Sequence, residues 1–166
     1  MPLAAPVPLG AAHDVGAFDC GAVPLDEWLR HRALKNESRF SRTYVVCEGV
    51  RVAAYYCLSA GAVERAAAPG RLRRNAPDAI PVAVLGRLAV DRAYQARGLG
   101  TDLLMDALHR VAAAARLMGI AAVLVQAKDE AARRFYLTRA EFLEFPALSR
   151  TLFLPVETVT IALYSS

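Results

Sequence analysis

The segment that most constrains this chain is a short glycine-containing loop between an apolar run and a long amphipathic stretch. The loop follows the run from Val82 to Val90 and reads Gln95-Ala96-Arg97-Gly98-Leu99-Gly100-Thr101. Glycines at 98 and 100 allow a sharp bend and a close approach of backbone to ligand, and a following helix presents free N–H groups and its positive dipole end. The pattern predicts a strand, a turn that binds an anionic group such as a pyrophosphate, and a helix.

Two better-known glycine loops do not fit this segment. A dinucleotide-binding fingerprint needs a third glycine three positions after the second, where this chain has Leu103. A phosphate-binding P-loop needs Gly-Lys-Ser/Thr, where this chain has Gly100-Thr101. Because a Gly-x-Gly alone also occurs at ordinary helix starts, a simple helix start stays open as an alternative.

The length of 166 residues is that of one folded domain, and we expect residues 1–166 to form it. The apolar stretch 117–127 is too short to cross a bilayer and predicts a buried strand. The first twenty residues contain no Lys or Arg and no continuous apolar segment, so they do not resemble a secretion signal. We therefore expect a cytoplasmic protein without membrane contact.

Cysteine and histidine patterns predict neither a metal site nor a thiol nucleophile. The three cysteines are widely spaced without Cys-x-x-Cys, which favours core thiols, and the three histidines are scattered. The net charge of +4 depends on arginine: of 20 basic residues only Lys35 and Lys128 are lysines, leaving 18 arginines. The arginine fork binds phosphate oxygens bidentately, although a GC-rich genome would give the same composition. Composition alone therefore leaves nucleic-acid binding open.

The first half of the chain predicts a helix, a hairpin and a loop. Pro24 opens a helix with one apolar and one basic face, its apolar face being Leu25, Trp28, Leu29 and Ala33. Two runs rich in Val and Tyr, Tyr44 to Cys47 and Val52 to Leu58, predict an antiparallel hairpin. Residues 65–81 contain three prolines and four arginines and predict a basic loop.

The second half predicts a strand-helix-strand unit followed by a short helix and further strands. Strands are expected at 82–90 and 120–125, joined by a helix at 99–118 that a left-handed Gly119 ends. Asp129 caps a helix that runs to about Arg139, and 142–145 and 152–162 are expected to be strands. These elements predict a mixed α/β (α+β) domain with its two central strands parallel.

Three motifs in this order resemble the GNAT acetyltransferases: Leu85-Gly86-Arg87-Leu88-Ala89-Val90-Asp91, then Gln95-x-x-Gly98-x-Gly100, then Phe135-Tyr136. Within that superfamily the chain is most similar to the TacT/AtaT-type toxins of toxin–antitoxin modules, whose first helix has a counterpart at 26–29. The resemblance extends from about Phe18 to the final strand. It implies the GNAT fold, a mixed and mostly antiparallel sheet splayed between two central parallel strands with helices on both faces.

The resemblance implies acetyl-CoA as the acetyl donor. In the family, pantetheine pairs with strand backbone that here corresponds to Leu88, Ala89 and Val90. Strand backbone left unpaired by a splay needs a partner, which pantetheine amides supply. Phe135 is expected to pack against the cofactor or the core. The pyrophosphate is held by the glycine loop, and the cofactor-binding residues there are Gln95, Ala96, Arg97, Gly98, Leu99, Gly100 and Thr101.

Tyr136 matches the family's tyrosine that meets the cofactor sulfur, and it is our candidate catalytic residue, donating its phenolic proton to the departing thiolate. The toxins show Phe-Tyr-x-x-x-Gly-Phe, whereas this chain has Ala140 in place of the glycine. A left-handed Ala140 would cost on the order of 1 kcal/mol. The alternative is a turn that is built differently.

Residues 88–90 offer no carboxylate as a base, so we favour an acceptor amine that is already largely unprotonated. An α-amino group titrates near ~7.7 to 8.0, and lower in an ester, whereas a lysine amine at ~10.4 is charged at neutral pH. Aminoacyl-tRNA fits this requirement. On this hypothesis basic residues, each by itself ordinary surface charge, grip its phosphates: Arg30, Lys35, Arg71, Arg73, Arg74, Arg133 and Arg134.

The resemblance therefore implies a toxin that acetylates aminoacyl-tRNA and blocks translation. It also implies an antitoxin partner, expected to be of the ribbon-helix-helix type, and a homodimer. Two alternatives stay open. One is an acetyltransferase for protein N-termini or small amines. The other is a non-catalytic RNA-binding or CoA-sensing module, in which Tyr136 is merely a packed aromatic.

Overall fold

The computed structural model describes residues 2–146 and 148–164. Its strands are β1 (Val7–Pro8), β2 (Arg42–Glu48), β3 (Arg51–Glu64), β4 (Ala79–Val90), β5 (Ala122–Gln126), β6 (Leu143–Glu144) and β7 (Thr151–Pro155). Its α-helices are α1 (Val23–His31), α2 (Ala33–Asn36), α3 (Gly70–Arg73), α4 (Leu99–Ala115), α5 (Glu130–Arg139) and α6 (Val156–Tyr164).

The strands of the described residues form one mixed sheet in the order β1-β2-β3-β4-β5-β7-β6. β2 and β3 form the predicted antiparallel hairpin, with Arg42 opposite Leu58 and Glu48 opposite Arg51. β4 and β5 are parallel, with a register that includes Val82 opposite Ala122. β7 runs antiparallel to both β5 and β6. The predicted sheet, mostly antiparallel with a central parallel pair, is confirmed.

Backbone contacts divide the chain into two compact units. One comprises residues up to Ser59 together with Gly86–Ala107, and the other comprises Ala60–Leu85 and Leu108 onwards. The core of the first unit is a cluster around Phe18, Leu29 and Tyr55, which pack beneath the partly buried Trp28. The core of the second unit includes Ile80, Phe145 and Phe153. Each unit thus buries its own apolar side chains, and the prediction of a single domain over 1–166 stays a prediction.

The prediction of a strand over 152–162 is wrong in its second half. The strand ends at Pro155, and α6 follows it directly. Valine, threonine and isoleucine between 156 and 161 favour a strand by local preference, but packing decides such segments. In the helix Val159 is fully buried, and the hydroxyl of Thr160 donates to the Val156 carbonyl at 3.0 Å.

Three other element boundaries differ from the prediction. α4 ends at Ala115 rather than near 118, and Gly119 does not adopt a left-handed conformation. The segment 65–81 is not only loop, because it contains a 3₁₀ helix at Arg65–Ala67 and α3. β4 starts at Ala79 and includes Pro81, which lacks an N–H but whose carbonyl accepts from the Ala121 N–H at 2.8 Å.

Across the described ranges, every helix falls short of the length and apolar character that a membrane span demands.

Candidate active site

The glycine loop makes its bend at positions 96 and 98. Ala96 has φ of +63° and Gly98 has φ of +80°, both in the left-handed region, whereas Gly100 lies in the first turn of α4 without a positive φ. The prediction that glycines 98 and 100 make the bend is therefore correct only for Gly98. A left-handed alanine costs roughly 1–2 kcal/mol, so the surrounding structure must hold Ala96 in place.

The start of α4 has the donors that a diphosphate requires. The N–H of Asp102 donates to the Gly98 carbonyl at 3.1 Å, so the N–H groups of Leu99, Gly100 and Thr101 precede this helical hydrogen bond and have no carbonyl four residues back within the helix. Gly98 itself is exposed, and a Cβ built on it would meet no atom within 4 Å. Clustered amides at the positive end of a helix fit an anion such as a diphosphate.

Replacing Gly98 with alanine is expected to lower the free energy of unfolding by about 1–2 kcal/mol, because a positive φ is strained for any residue with a Cβ. Urea unfolding measures this loss. Gly70→Ala is the matched control, since its Cβ would also meet open space but its φ lies outside the left-handed region, and it should be neutral or slightly stabilising. Equal stability of the two variants would contradict the left-handed turn.

The side chains of the loop hold it in shape. The Gln95 amide nitrogen donates to the Val90 carbonyl at 2.9 Å and to the Cys20 carbonyl at 3.2 Å. The Arg97 guanidinium donates to the Ala93 carbonyl at 3.2 Å and lies 5.2 Å from the ring centre of Tyr94. The Gln95 side chain is therefore used for hydrogen bonds inside the protein. The groups of the loop that are suited to a ligand are its backbone amides.

Asp91 organises the entrance to the loop, a role that the sequence analysis missed. Asp91 is only 3% exposed, and its carboxylate accepts from the N–H of Ala93 at 2.8 Å and from the N–H of Asp19 at 3.0 Å. The guanidinium of Arg51 lies 3.6 Å from the same carboxylate. The hydrogen bond from Ala93 caps the 3₁₀ turn Arg92–Tyr94, and the hydrogen bond from Asp19 connects the segment before α1 to Asp91. The feature of the sequence that could have indicated this role is an acidic residue directly after an apolar strand.

The three strand residues expected to pair with pantetheine lie at the end of β4. Ala89 is buried in the core of the first unit, whereas Leu88 and Val90 are half-buried. None of the three side chains is acidic, which leaves this part of β4 without a base.

Tyr136 lies on α5, which begins as predicted. The Asp129 carboxylate accepts from the Ala132 N–H at 2.8 Å, and the hydrogen bond from Lys128 together with this one lowers the pKa of that carboxyl. Tyr136 is 7% exposed, and its ring packs edge-to-face on Phe135 and Phe142 with ring centres 5.3 and 5.6 Å apart. Ala140 has φ of −150°, so the turn after the helix is extended and needs no left-handed residue.

The thiols are unsuited to nucleophilic catalysis. Cys47 and Cys57 are buried, and burial raises the pKa of both. Burial also raises the pKa of Cys20 to about 11, with a further contribution from Asp26. All three therefore stay protonated at neutral pH, as expected for structural thiols.

The basic residues predicted to bind RNA differ in how their charges are used. Arg30 donates to the Phe18 carbonyl at 2.6 Å, and Arg71 donates to the Thr158 hydroxyl at 3.3 Å. Arg133 pairs with Glu130 at 2.9 Å and also with Glu144, so its charge is largely neutralised. The remaining four are exposed and have no ion pair within 2–146 and 148–164: Lys35, Arg73, Arg74 and Arg134.

The chain belongs to the acetyltransferase (GNAT) family, whose model matches residues 16–142. It is therefore an acetyltransferase, with the fold that the motifs at 85–100 and 135–136 predicted.

Two known proteins, one of them in two solved structures, are similar to it over most of their length. The tRNA-acetylating toxin of Mycobacterium tuberculosis (strain ATCC 25618 / H37Rv) is 48% identical over 134 residues, which are 80% of this chain and 81% of that protein. The structure of AtaT complexed with acetyl-methionyl-tRNAfMet is 29% identical with a TM-score of 0.88, covering 98% of this chain and 99% of that one. A tyrosine-to-phenylalanine mutant of AtaT, bound to the C-terminus of the antitoxin AtaR and acetyl-CoA, is 29% identical with a TM-score of 0.84, covering all of both chains.

Proposed function

We propose that this protein transfers the acetyl group of acetyl-CoA to the α-amino group of aminoacyl-tRNA and so blocks translation as the toxin of a toxin–antitoxin pair. The observation that carries the proposal is the 48% identity with a tRNA-acetylating toxin over four-fifths of both chains. The N–H groups of 99–101 at the start of α4, which are suited to an anion, and an apolar strand end at 88–90 without a carboxylate support it.

Acetyl-CoA supplies a thioester-activated acetyl group when it is bound. We propose that the amides from Arg97 to Thr101 hold its diphosphate, with Gly98 setting their direction through its positive φ. The backbone of Leu88, Ala89 and Val90 holds the pantetheine, and Phe135 packs beside it. AtaT has been solved with acetyl-CoA, which supports the same cofactor here.

Tyr136 holds a proton at its phenolic oxygen and delivers it to the departing sulfur. Its ring packs edge-to-face on Phe135 and Phe142, and these contacts orient the phenol. No carboxylate is needed to deprotonate the acceptor, because the α-amino group of an amino acid ester is substantially neutral near pH 7. A lysine acceptor would require a base that 88–90 lack.

Exposed cations suit the phosphates of the tRNA. Lys35, Arg73, Arg74 and Arg134 retain unneutralised charge on the surface, and we propose them as phosphate contacts. Arg133 is a poor contact because its guanidinium is shared between two glutamates.

The same relatives support an antitoxin partner. AtaT binds the C-terminus of its antitoxin AtaR, and we propose an antitoxin of the ribbon-helix-helix type for this chain. We also propose a cytoplasmic location, since a tRNA substrate would be met there, and a homodimer, which the resemblance to the toxins implies.

The release of free CoA thiol tests the choice of acceptor. The protein and acetyl-CoA are incubated in three separate reactions. The acceptor is total aminoacyl-tRNA in the first, a peptide with a free N-terminus in the second, and a small primary amine in the third. Thiol release with aminoacyl-tRNA alone is expected. Release with the peptide or the amine but not with aminoacyl-tRNA would instead identify an acetyltransferase for those acceptors, and no release with any would favour a non-catalytic module.

A further inference from the structure

The segment from Arg30 to Arg42 presents mostly positive charge to solvent. It contains α2 and the turn into β2, and it has one acidic residue, Glu37, against five basic ones: Arg30, Arg32, Lys35, Arg39 and Arg42. The Glu37 carboxylate accepts from the Thr43 N–H at 2.7 Å, and burial raises its pKa. Because the single acid is bonded to the backbone, the charges left at the surface are positive.

An aromatic ring stands exposed among these cations. Phe40 is 64% exposed, and the Arg39 guanidinium carbon lies 5.1 Å from the ring centre. The N–H groups of residues 39, 40 and 41 all donate to the Asn36 carbonyl, at 3.1, 2.9 and 3.2 Å. The turn is therefore held by its own backbone hydrogen bonds, and it leaves the Phe40 ring largely exposed.

We propose that Phe40 is a stacking platform for an unpaired base of the tRNA substrate, with Lys35 and Arg39 on the neighbouring phosphates; this inference rests on the proposed function. An aromatic face stacks on any base, and interleaved cations follow the backbone of a single strand. Arg30 and Arg42 donate to the carbonyls of Phe18 and Glu37 and hold the segment together. The cations alone would suit an acidic protein partner equally well, whereas the exposed ring beside them adds a flat face on which a base can stack.

The binding of deacylated tRNA tests the platform without requiring catalysis. Fluorescence anisotropy of labelled, deacylated tRNA is measured for Phe40→Ala, Phe40→Leu and Phe40→Trp. Loss of one stacked base predicts a rise in Kd of about 5- to 150-fold for the alanine and leucine variants and little change for tryptophan. Leu117→Ala is the matched control, since Leu117 is 89% exposed and lies outside the segment, and it should bind like the natural protein.

Two further readouts separate stacking from a structural effect. Lys35→Gln and Arg39→Gln should each lower the slope of log Kd against log salt by about 0.7–0.9. With aminoacyl-tRNA, Phe40→Ala should raise KM and leave kcat unchanged, because the ring contacts substrate equally in the ground and transition states.

Phe40→Ala binding deacylated tRNA as well as Leu117→Ala does would overturn the proposal, and so would natural affinity in Phe40→Leu, which keeps apolar surface but no ring. Unchanged tRNA binding by Phe40→Ala together with weakened binding of a protein partner would assign the surface to that partner instead. Failure to acetylate any aminoacyl-tRNA would refute the proposed function, while the binding result would still decide the role of Phe40.

Discussion

Tyr136→Phe is expected to reduce acetyl transfer by about 10²- to 10⁴-fold while leaving the affinity for acetyl-CoA nearly unchanged. The substitution removes only the phenolic oxygen, and the ring keeps its edge-to-face contacts with Phe135 and Phe142. Thiol release at saturating aminoacyl-tRNA measures the rate, and isothermal titration with acetyl-CoA measures the affinity.

Tyr55→Phe is the control for losing a buried tyrosine hydroxyl. The Tyr55 hydroxyl donates to the Leu25 carbonyl at 2.7 Å, within the core of the first unit. Its removal should lower the free energy of unfolding by about 1 kcal/mol and leave the rate of acetyl transfer nearly unchanged. Unchanged turnover in Tyr136→Phe would remove the proton-donor role, and loss of acetyl-CoA binding would make Tyr136 a structural residue instead.

Asp91→Ala is expected to lower the free energy of unfolding by about 3 kcal/mol, since it removes two hydrogen bonds to a buried carboxylate. The N–H groups of Asp19 and Ala93 would lose their acceptor, and Arg51 would lose its nearest anion. Urea unfolding measures the loss. Asp91→Asn should recover part of it, because the amide oxygen can still accept from one of the two N–H groups but its NH₂ group would face the other.

Asp78→Ala is the control for losing an ionised aspartate. Asp78 pairs with Arg65 at 2.6 Å, but its side chain is 91% exposed, so its removal should change stability by less than about 1 kcal/mol. If Asp91→Ala were as stable as Asp78→Ala, the carboxylate would not hold the loop.

The features that the sequence predicted well depend on short-range chemistry. Asp129 caps α5 because a carboxylate three residues before a free N–H satisfies it locally, and the hairpin follows from its β-branched and aromatic runs. Gly98 lies in a turn that a residue with a Cβ tolerates poorly.

The features that the sequence could not predict depend on contacts between distant segments. Asp91 accepts from Asp19, 72 residues away, so its neighbours in the sequence do not show its role. Ala96 takes a positive φ that its residue type disfavours, within a loop whose adjoining Gln95 is bonded to Cys20 and Val90. By residue type Arg133 is suited to contact a phosphate, but it forms an ion pair with Glu144, which lies eleven positions further along the chain.

Identifying the atom that receives the acetyl group tests the proposed acceptor directly. Total aminoacyl-tRNA is incubated with acetyl-CoA and the protein, digested with ribonuclease, and the aminoacyl adenosines are identified by mass spectrometry. We expect N-acetyl aminoacyl adenosine to form with the natural protein and to be nearly absent with Tyr136→Phe. Acetyl groups found only on nucleotides or on protein lysines, with every aminoacyl adenosine unmodified, would contradict the proposed acceptor.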